Sequence, residues 1–187
     1  ERQRSGQGQY IDISMTDCVA TLNSMAAAAV LAGETKQYAE QSHLNGATYY
    51  DYYQTLDGRY LSVGSIEPQF MSGLATVLEL PILLEKGTSF DATDQKLVKQ
   101  ALQEKIKTKT FTEWSSIFAE LDVCVEPVLH LDEALTSPLA KQRQWVVDVP
   151  LAEESAQTEA QLACPIKFSR SKMSYQHIGK KLGEDSF

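Results

Sequence analysis

The sequence predicts an α+β fold: a small domain built on a β-hairpin with packed helices, preceded by one long helix. Three observations carry this. Thr48-Tyr49-Tyr50-Asp51-Tyr52-Tyr53-Gln54 and Tyr60-Leu61-Ser62-Val63 are aromatic and β-branched runs on either side of Asp57-Gly58, a strong short-range signal for a β-hairpin. Ahead of them, Ile11, Met15, Cys18, Leu22, Met25 and Ala29 step by four and three, the spacing of one helical face. Behind them, Trp114, Ile117, Phe118 and Leu121 repeat that spacing as an i, i+3, i+4, i+7 stripe.

The elements follow in order. A helix is expected from about Asp12 to Ala32, closed by Gly33 as a C-terminal cap. At ~1.5 Å per residue it is roughly 30 Å long. Its apolar seam suits either a core helix or one that reaches toward another domain or subunit, and the small residues Ala26 to Ala29 would admit a second helix closely. Residues 34–47 are polar and contain glycine, a connection. After the hairpin, Phe70, Leu74, Val77 and Leu78 mark a helix ending near Leu80-Pro81, and Leu97, Val98, Ala101, Leu102 and Ile106 mark another from about Ala92 to Lys107. Thr110 and Glu113 have capping-box spacing. Val123 to Leu129 reads as a short strand limited by Pro127, Ser137-Pro138 opens a helical turn, and Trp145 to Val149 reads as a strand. Ala152 to Gln161 reads as an acidic polar loop and Pro165 to Ser169 as a last extended piece.

Composition narrows the function classes. The 187 residues carry a net charge of −8 and 43% hydrophobic content, and the pI is near 4.9. An acidic chain is a poor partner for nucleic acid, and no apolar run approaches the ~20 residues of a membrane span. Cys18, Cys124 and Cys164 are odd in number and scattered; they suggest neither a metal site nor a disulfide framework, and point to the cytoplasm. The chain opens on Glu1 rather than methionine, which suggests a piece of a larger protein.

One junction stands out for chemistry. The second hairpin strand runs into Glu67-Pro68. Proline is favoured at the first turn of a helix, so Glu67 is expected where strand becomes helix, its carboxylate facing the positive end of the helix dipole. Such a carboxylate suits holding or polarising another group. Asp57 is expected to serve the turn. Tyr49, Tyr50, Tyr52 and Tyr53 alternate across a strand, with one face expected in the core. Phe70 and Met71 can border an apolar substrate or simply pack.

Tyr50-Asp51-Tyr52-Tyr53, Asp57-Gly58 and Gly64-Ser65-Ile66-Glu67-Pro68-Gln69-Phe70 together resemble the family III CoA-transferases, and most closely their α-methylacyl-CoA racemase branch. Further landmarks keep the family's order: Gln7-Gly8-Gln9-Tyr10-Ile11-Asp12, Thr110 to Trp114, Asp122 to Leu129 with Glu133-Ala134, and Phe168-Ser169-Arg170 with Leu182 to Asp185. The resemblance implies a small α+β domain and linkers whose Rossmann-like, CoA-binding large domain is absent. It divides the chain into a linker helix and connection over 1–47, a small domain over 48–150 and a return linker over 151–187. It also implies an interlocked homodimer in the full-length protein.

The implied activity is interconversion of (2R)- and (2S)-2-methylacyl-CoA by proton removal and return at the α carbon, with coenzyme A as part of the substrate thioester and no separate cofactor or metal. Of the family's catalytic residues only one carries over, onto Glu67; the family's active-site His and Asp lie upstream, and His43, His130 and His177 match no catalytic position. Phe70 and Met71 would border the acyl chain. The chain by itself is then expected to be inactive. Two alternatives stay open: a family III CoA-transferase moving CoA between carboxylic acids, whose nucleophile is an upstream carboxylate, and an isolated dimerisation or binding module.

Overall fold

The computed structural model describes residues 2–33, 42, 44–152, 155–179 and 183. The chain divides into two units, Glu1–Pro127 and Val128–Phe187. In the first, β1 (Asp51–Gln54) and β2 (Tyr60–Val63) form the expected hairpin, with Tyr53 opposite Leu61 and Asp51 opposite Val63. Thr55 N–H donates to Arg59 C=O at 2.8 Å and Gly58 N–H to Thr55 C=O at 3.0 Å. Gly58 takes φ +80°, as a three-residue hairpin loop requires at its left-handed position. β3 (Val125–Pro127) pairs antiparallel on the other side of β2, giving the order β1-β2-β3. Pro127 ends it, since proline cannot donate to a ladder.

Alternation along β2 sends Leu61 and Val63 inward and sets the face that the helices cover. These are α4 (Pro68–Leu78), α5 (Ile82–Lys86), α6 (Ala92–Ile106) and α7 (Phe111–Ala119). Their buried sides, including Leu74, Leu78, Leu83, Val98, Leu102, Ile106, Trp114 and Phe118, join Tyr49, Tyr53, Leu61, Val63, Val123 and Val125 in one core. The sequence left α5 unassigned: five residues behind Pro81 are too few to show a period.

Caps start these helices as their residue types suggest. Asp91 accepts from the N–H groups of Thr93 and Asp94 ahead of α6, and Thr110 with Glu113 closes the capping box of α7. The indole of Trp114 donates to Ile106 C=O at 2.7 Å, satisfying a carbonyl in the last turn of α6. Asp57 accepts from Thr55 Oγ1 at 2.6 Å and from Phe111 N–H at 2.9 Å, tying the hairpin tip to the start of α7. Asp57 is therefore a turn residue.

The expected N-terminal helix is in two parts, α2 (Met15–Leu22) and α3 (Ser24–Leu31), after a short α1 (Arg2–Ser5). Ser14 is the N-cap of α2 and accepts from Asp17 N–H, so the helix begins three residues after Asp12. The interruption has a local cause: Asn23 Nδ2 donates to Val19 C=O at 2.9 Å, the side-chain competition that makes Asn a poor interior helix residue. Gly33 closes the segment at φ +95°. None of the residues of α1, α2 or α3 is buried; Met15, Leu22, Met25 and Leu31 are each more than 80% exposed. Of the two expectations for this seam, a core helix is not realised among the described residues. Most of the connection expected over 34–47 lies outside them.

The second unit holds α8 (Leu131–Thr136), α9 (Pro138–Gln142), β4 (Val146–Pro150) and β5 (Thr158–Leu162). Ser137 caps α9 as Ser137-Pro138 suggested. β4 and β5 form an antiparallel pair with Val146 opposite Leu162 and Pro150 opposite Thr158. This corrects the expected loop over Ala152 to Gln161. All five β5 residues are exposed, so no alternation of apolar and polar residues could reveal the strand. Pro165 to Ser169 forms no regular strand. No helix among the described residues is long and apolar enough to cross a membrane.

Candidate functional site at the strand-to-helix junction

Four residues, Gly64-Ser65-Ile66-Glu67, carry the chain from β2 to α4. Gly64 N–H donates to Cys124 C=O at 2.8 Å, extending the β2–β3 contact by one bond, and Ile66 N–H turns back to Gly64 C=O at 2.9 Å. A Cβ on Gly64 would meet the Tyr50 ring at 3.3 Å and Cys124 C=O at 3.5 Å. Tyr49 Oη donates to Ser65 C=O at 2.5 Å, and the Ser65 hydroxyl donates to Val123 C=O.

Glu67 is the N-cap of α4, extended at φ −71° and ψ 143°, with Pro68 at the first helical position. Its carbonyl accepts from Met71 N–H at 2.9 Å, the first bond of the helix. Its carboxylate caps none of the helix N–H groups, and the residue is exposed. The side chain is thus held by its backbone and turned to the surface. Its charge is felt nearby. Burial raises the Tyr49 hydroxyl to about 12, and Glu67 adds to the shift. Cys124, exposed and in the left-handed region at φ 50°, has its thiol pushed up by partial burial, then by Glu67, Asp122 and Glu126.

Phe70 is half-buried on α4, whereas Met71 is 7% exposed and belongs to the core. A cavity of about 180 Å³ lies beside the junction, lined by Thr48, Ile66, Gly87, Thr88, Ser89 and Phe90. It is Ile66, not Glu67, that lines it. A second of about 370 Å³ includes Ala47, Phe90, Lys96 and Lys99. Of the tyrosines, Tyr49 and Tyr53 are core residues, Tyr50 is half-buried and Tyr52 is exposed.

His43 lies outside the described residues. His130 is the exposed N-cap of α8, and His177, half-buried in the second unit, has no partner for Nδ1 among the described residues. Arg170 is exposed. Among the described residues no group of three or more His, Cys, Asp or Glu side chains could hold a metal ion. Sequence reasoning missed Tyr49, Ser65 and Cys124 as the surroundings of Glu67. The signal available was Ser65 itself, a polar residue held between the inward β2 positions and the start of α4.

The fold and this junction define an α+β small domain carrying a carboxylate where its hairpin meets a helix. The CoA-transferase family III matches residues 1–186, and the chain belongs to that family. It is 40% identical over 136 residues to the alpha-methylacyl-CoA racemase of Mus musculus, across 72% of this chain and 35% of that protein. With the Homo sapiens alpha-methylacyl-CoA racemase the identity is 33% over 144 residues, 76% of this chain and 37% of that protein. The chain thus spans little more than a third of the length of these relatives. Among solved structures, a CAIB/BAIF family protein from Brucella suis superposes with a TM-score of 0.72 at 20% identity, over 98% of this chain and 47% of that one. That likeness is one of fold.

Proposed function

We propose that this chain is the small-domain part of an acyl-CoA isomerase that interconverts (2R)- and (2S)-2-methylacyl-CoA, with Glu67 as its contribution to catalysis. One observation carries the reading: Glu67 stands at the start of α4 with a carboxylate that caps no helix N–H and reaches the surface. The likeness to two racemases supports it. In this reading 1–47 is the linker helix and connection, 48–150 the small domain and 151–187 the return linker. The complete protein is an interlocked homodimer, and its home is the cytoplasm, in keeping with three free cysteines.

The chemistry gives Glu67 its task. The α proton of a thioester is weakly acidic, and inversion needs two opposed bases within hydrogen-bond reach of one carbon. An imidazole backed by a carboxylate is a better oriented base, because the carboxylate fixes the tautomer and stabilises the charged form. Glu67 is that carboxylate; the imidazole and the opposed Asp come from the large domain. Phe70 borders the acyl chain, with Met71 beneath it. The second reading, transfer of CoA between carboxylic acids, draws on the family's own description and needs no Glu-Pro at this junction.

The test is α-proton exchange in heavy water by the full-length protein, on each enantiomer of a panel of 2-methylacyl-CoA esters. Glu67→Gln keeps the shape and removes the charge. It should lower α-proton exchange roughly ten- to a thousandfold, unequally for the two enantiomers and with little change in binding. Equal, near-normal rates from both enantiomers would leave Glu67 as a surface residue at the start of α4, and CoA transfer without exchange would favour the second reading.

A further inference from the structure

We propose that Tyr49 and Ser65 form a buried strut that sets the position of Glu67, making them positioning residues for the reaction proposed above, on which this inference rests. Ser65 is two residues before Glu67 and 0% exposed, and Tyr49 is 1% exposed. The strut has three parts. Tyr49 Oη donates to Ser65 C=O at 2.5 Å, the Ser65 hydroxyl donates onward to Val123 C=O, and Gly64 N–H donates to Cys124 C=O at 2.8 Å. The short run between β2 and α4 is therefore gripped from the hairpin side by Tyr49 and from the β3 side by Val123 and Cys124.

Tyr49 is itself anchored. Its N–H donates to Gln95 Oε1 at 2.9 Å and its C=O accepts from Tyr53 Oη at 2.8 Å. Gln95 in turn donates to Gly87 C=O at 3.0 Å and Ser89 C=O at 2.7 Å. The chain of bonds runs from α6 through Tyr49 to the residues just before the carboxylate. Buried hydroxyls carry a desolvation cost that an aliphatic residue would avoid. A fully satisfied buried network, by contrast, holds one geometry. Glu67 makes no capping bond to hold its side chain, so its backbone is what aims it. A misplacement of about 1 Å is enough to cost a hundredfold in rate.

The experiment uses the full-length protein and a 2-methylacyl-CoA ester. Tyr49→Phe and Ser65→Ala are compared with Glu67→Gln for α-proton exchange from each enantiomer. Both strut variants should lower the kcat for α-proton exchange roughly five- to fiftyfold for the enantiomer that Glu67→Gln impairs, with the KM for exchange within about twofold. Tyr49→Phe should add no further loss on the Glu67→Gln background. Amide hydrogen exchange across residues 64–67 should quicken in both strut variants and stay unchanged in Glu67→Gln. An asymmetric loss in Glu67→Gln alone, a loss equal for both enantiomers, or unchanged amide exchange overturns the strut. Failure of Glu67→Gln to slow either enantiomer overturns the reading of Glu67 instead, while amide exchange still reports on the strut. Should Ser65→Ala not fold, Tyr49→Phe decides the matter, since it removes one oxygen and keeps the ring.

Discussion

Gln95 is 3% exposed, and the two ends of its amide have different duties. The oxygen accepts from Tyr49 N–H, and the nitrogen donates to the carbonyls of Gly87 and Ser89. A glutamine amide suits both duties at neutral pH, because it carries an acceptor oxygen and a two-donor nitrogen side by side at the end of one chain. Gln95→Leu should lower the free energy of unfolding by about 1–3 kcal/mol through the stranded Tyr49 N–H and carbonyls. Gln95→Glu should be worse at neutral pH, since a carboxylate cannot donate to either carbonyl. Its deficit relative to wild type should shrink in acid, where the protonated carboxyl regains a donor. Denaturant titrations at pH 7 and pH 4.5 check both statements; a pH-independent deficit in Gln95→Glu would contradict this account.

At the scale of elements, α4 matters most because Glu67 is its N-cap, and Gly73 sets how closely it lies on Val123, two residues ahead of β3. A Cβ at Gly73 would stand 2.8 Å from Val123 Cγ1, and Val123 is buried and stiff at χ1. Gly73→Ala gains about 1 kcal/mol of helix propensity, but overpacking costs typically ~1–3 kcal/mol. The net expectation is a destabilised protein, read as a lower thermal midpoint; a raised midpoint would mean that α4 and Val123 separate without penalty. Elements with strong local signals were legible in advance. The hairpin announced itself through Asp57-Gly58, and α7 through its capping box and apolar stripe. Glu67 could be set at its junction from Pro68 alone. What stayed hidden was non-local or short: β5 has no buried face, α5 has too few residues for a period, and the break at Asn23 turns on one side-chain bond. The surroundings of Glu67 were hidden because the pairing of β2 with β3 brings Val123 and Cys124 from far along the chain.

Taken as a whole, the molecule holds several surface carboxylates below their ordinary range. Thr55 Oγ1, then Phe111 N–H, hold Asp57 below the ordinary range. The N–H of Thr93 does so for Asp91, Lys86 for Asp94, and the N–H of Thr110 for Glu113. Each is depressed in the folded state, so the stability it adds is present above the unfolded values near 4 and lost as pH falls through the lower folded ones. Lys86 is raised by its bond to Asp94, and its share is present below its unfolded value and lost as pH climbs through the higher folded one. Thermal melts should show a midpoint insensitive to these groups between about pH 5 and 8 and falling below about pH 4. Asp57→Asn should flatten that acid slope; an unchanged slope would remove Asp57 from the set.

The left-handed turn at Cys124 has a meaning of its own. It leaves an exposed thiol whose titration senses Glu67. A deprotonated thiol is the form that attacks acyl groups, and a thioester substrate is open to such theft. Partial burial first, and then the charges of Glu67, Asp122 and Glu126, push this thiol up and favour its protonated form. The negative charge proposed to sharpen a base at the junction thus also makes the neighbouring thiol a more reluctant nucleophile.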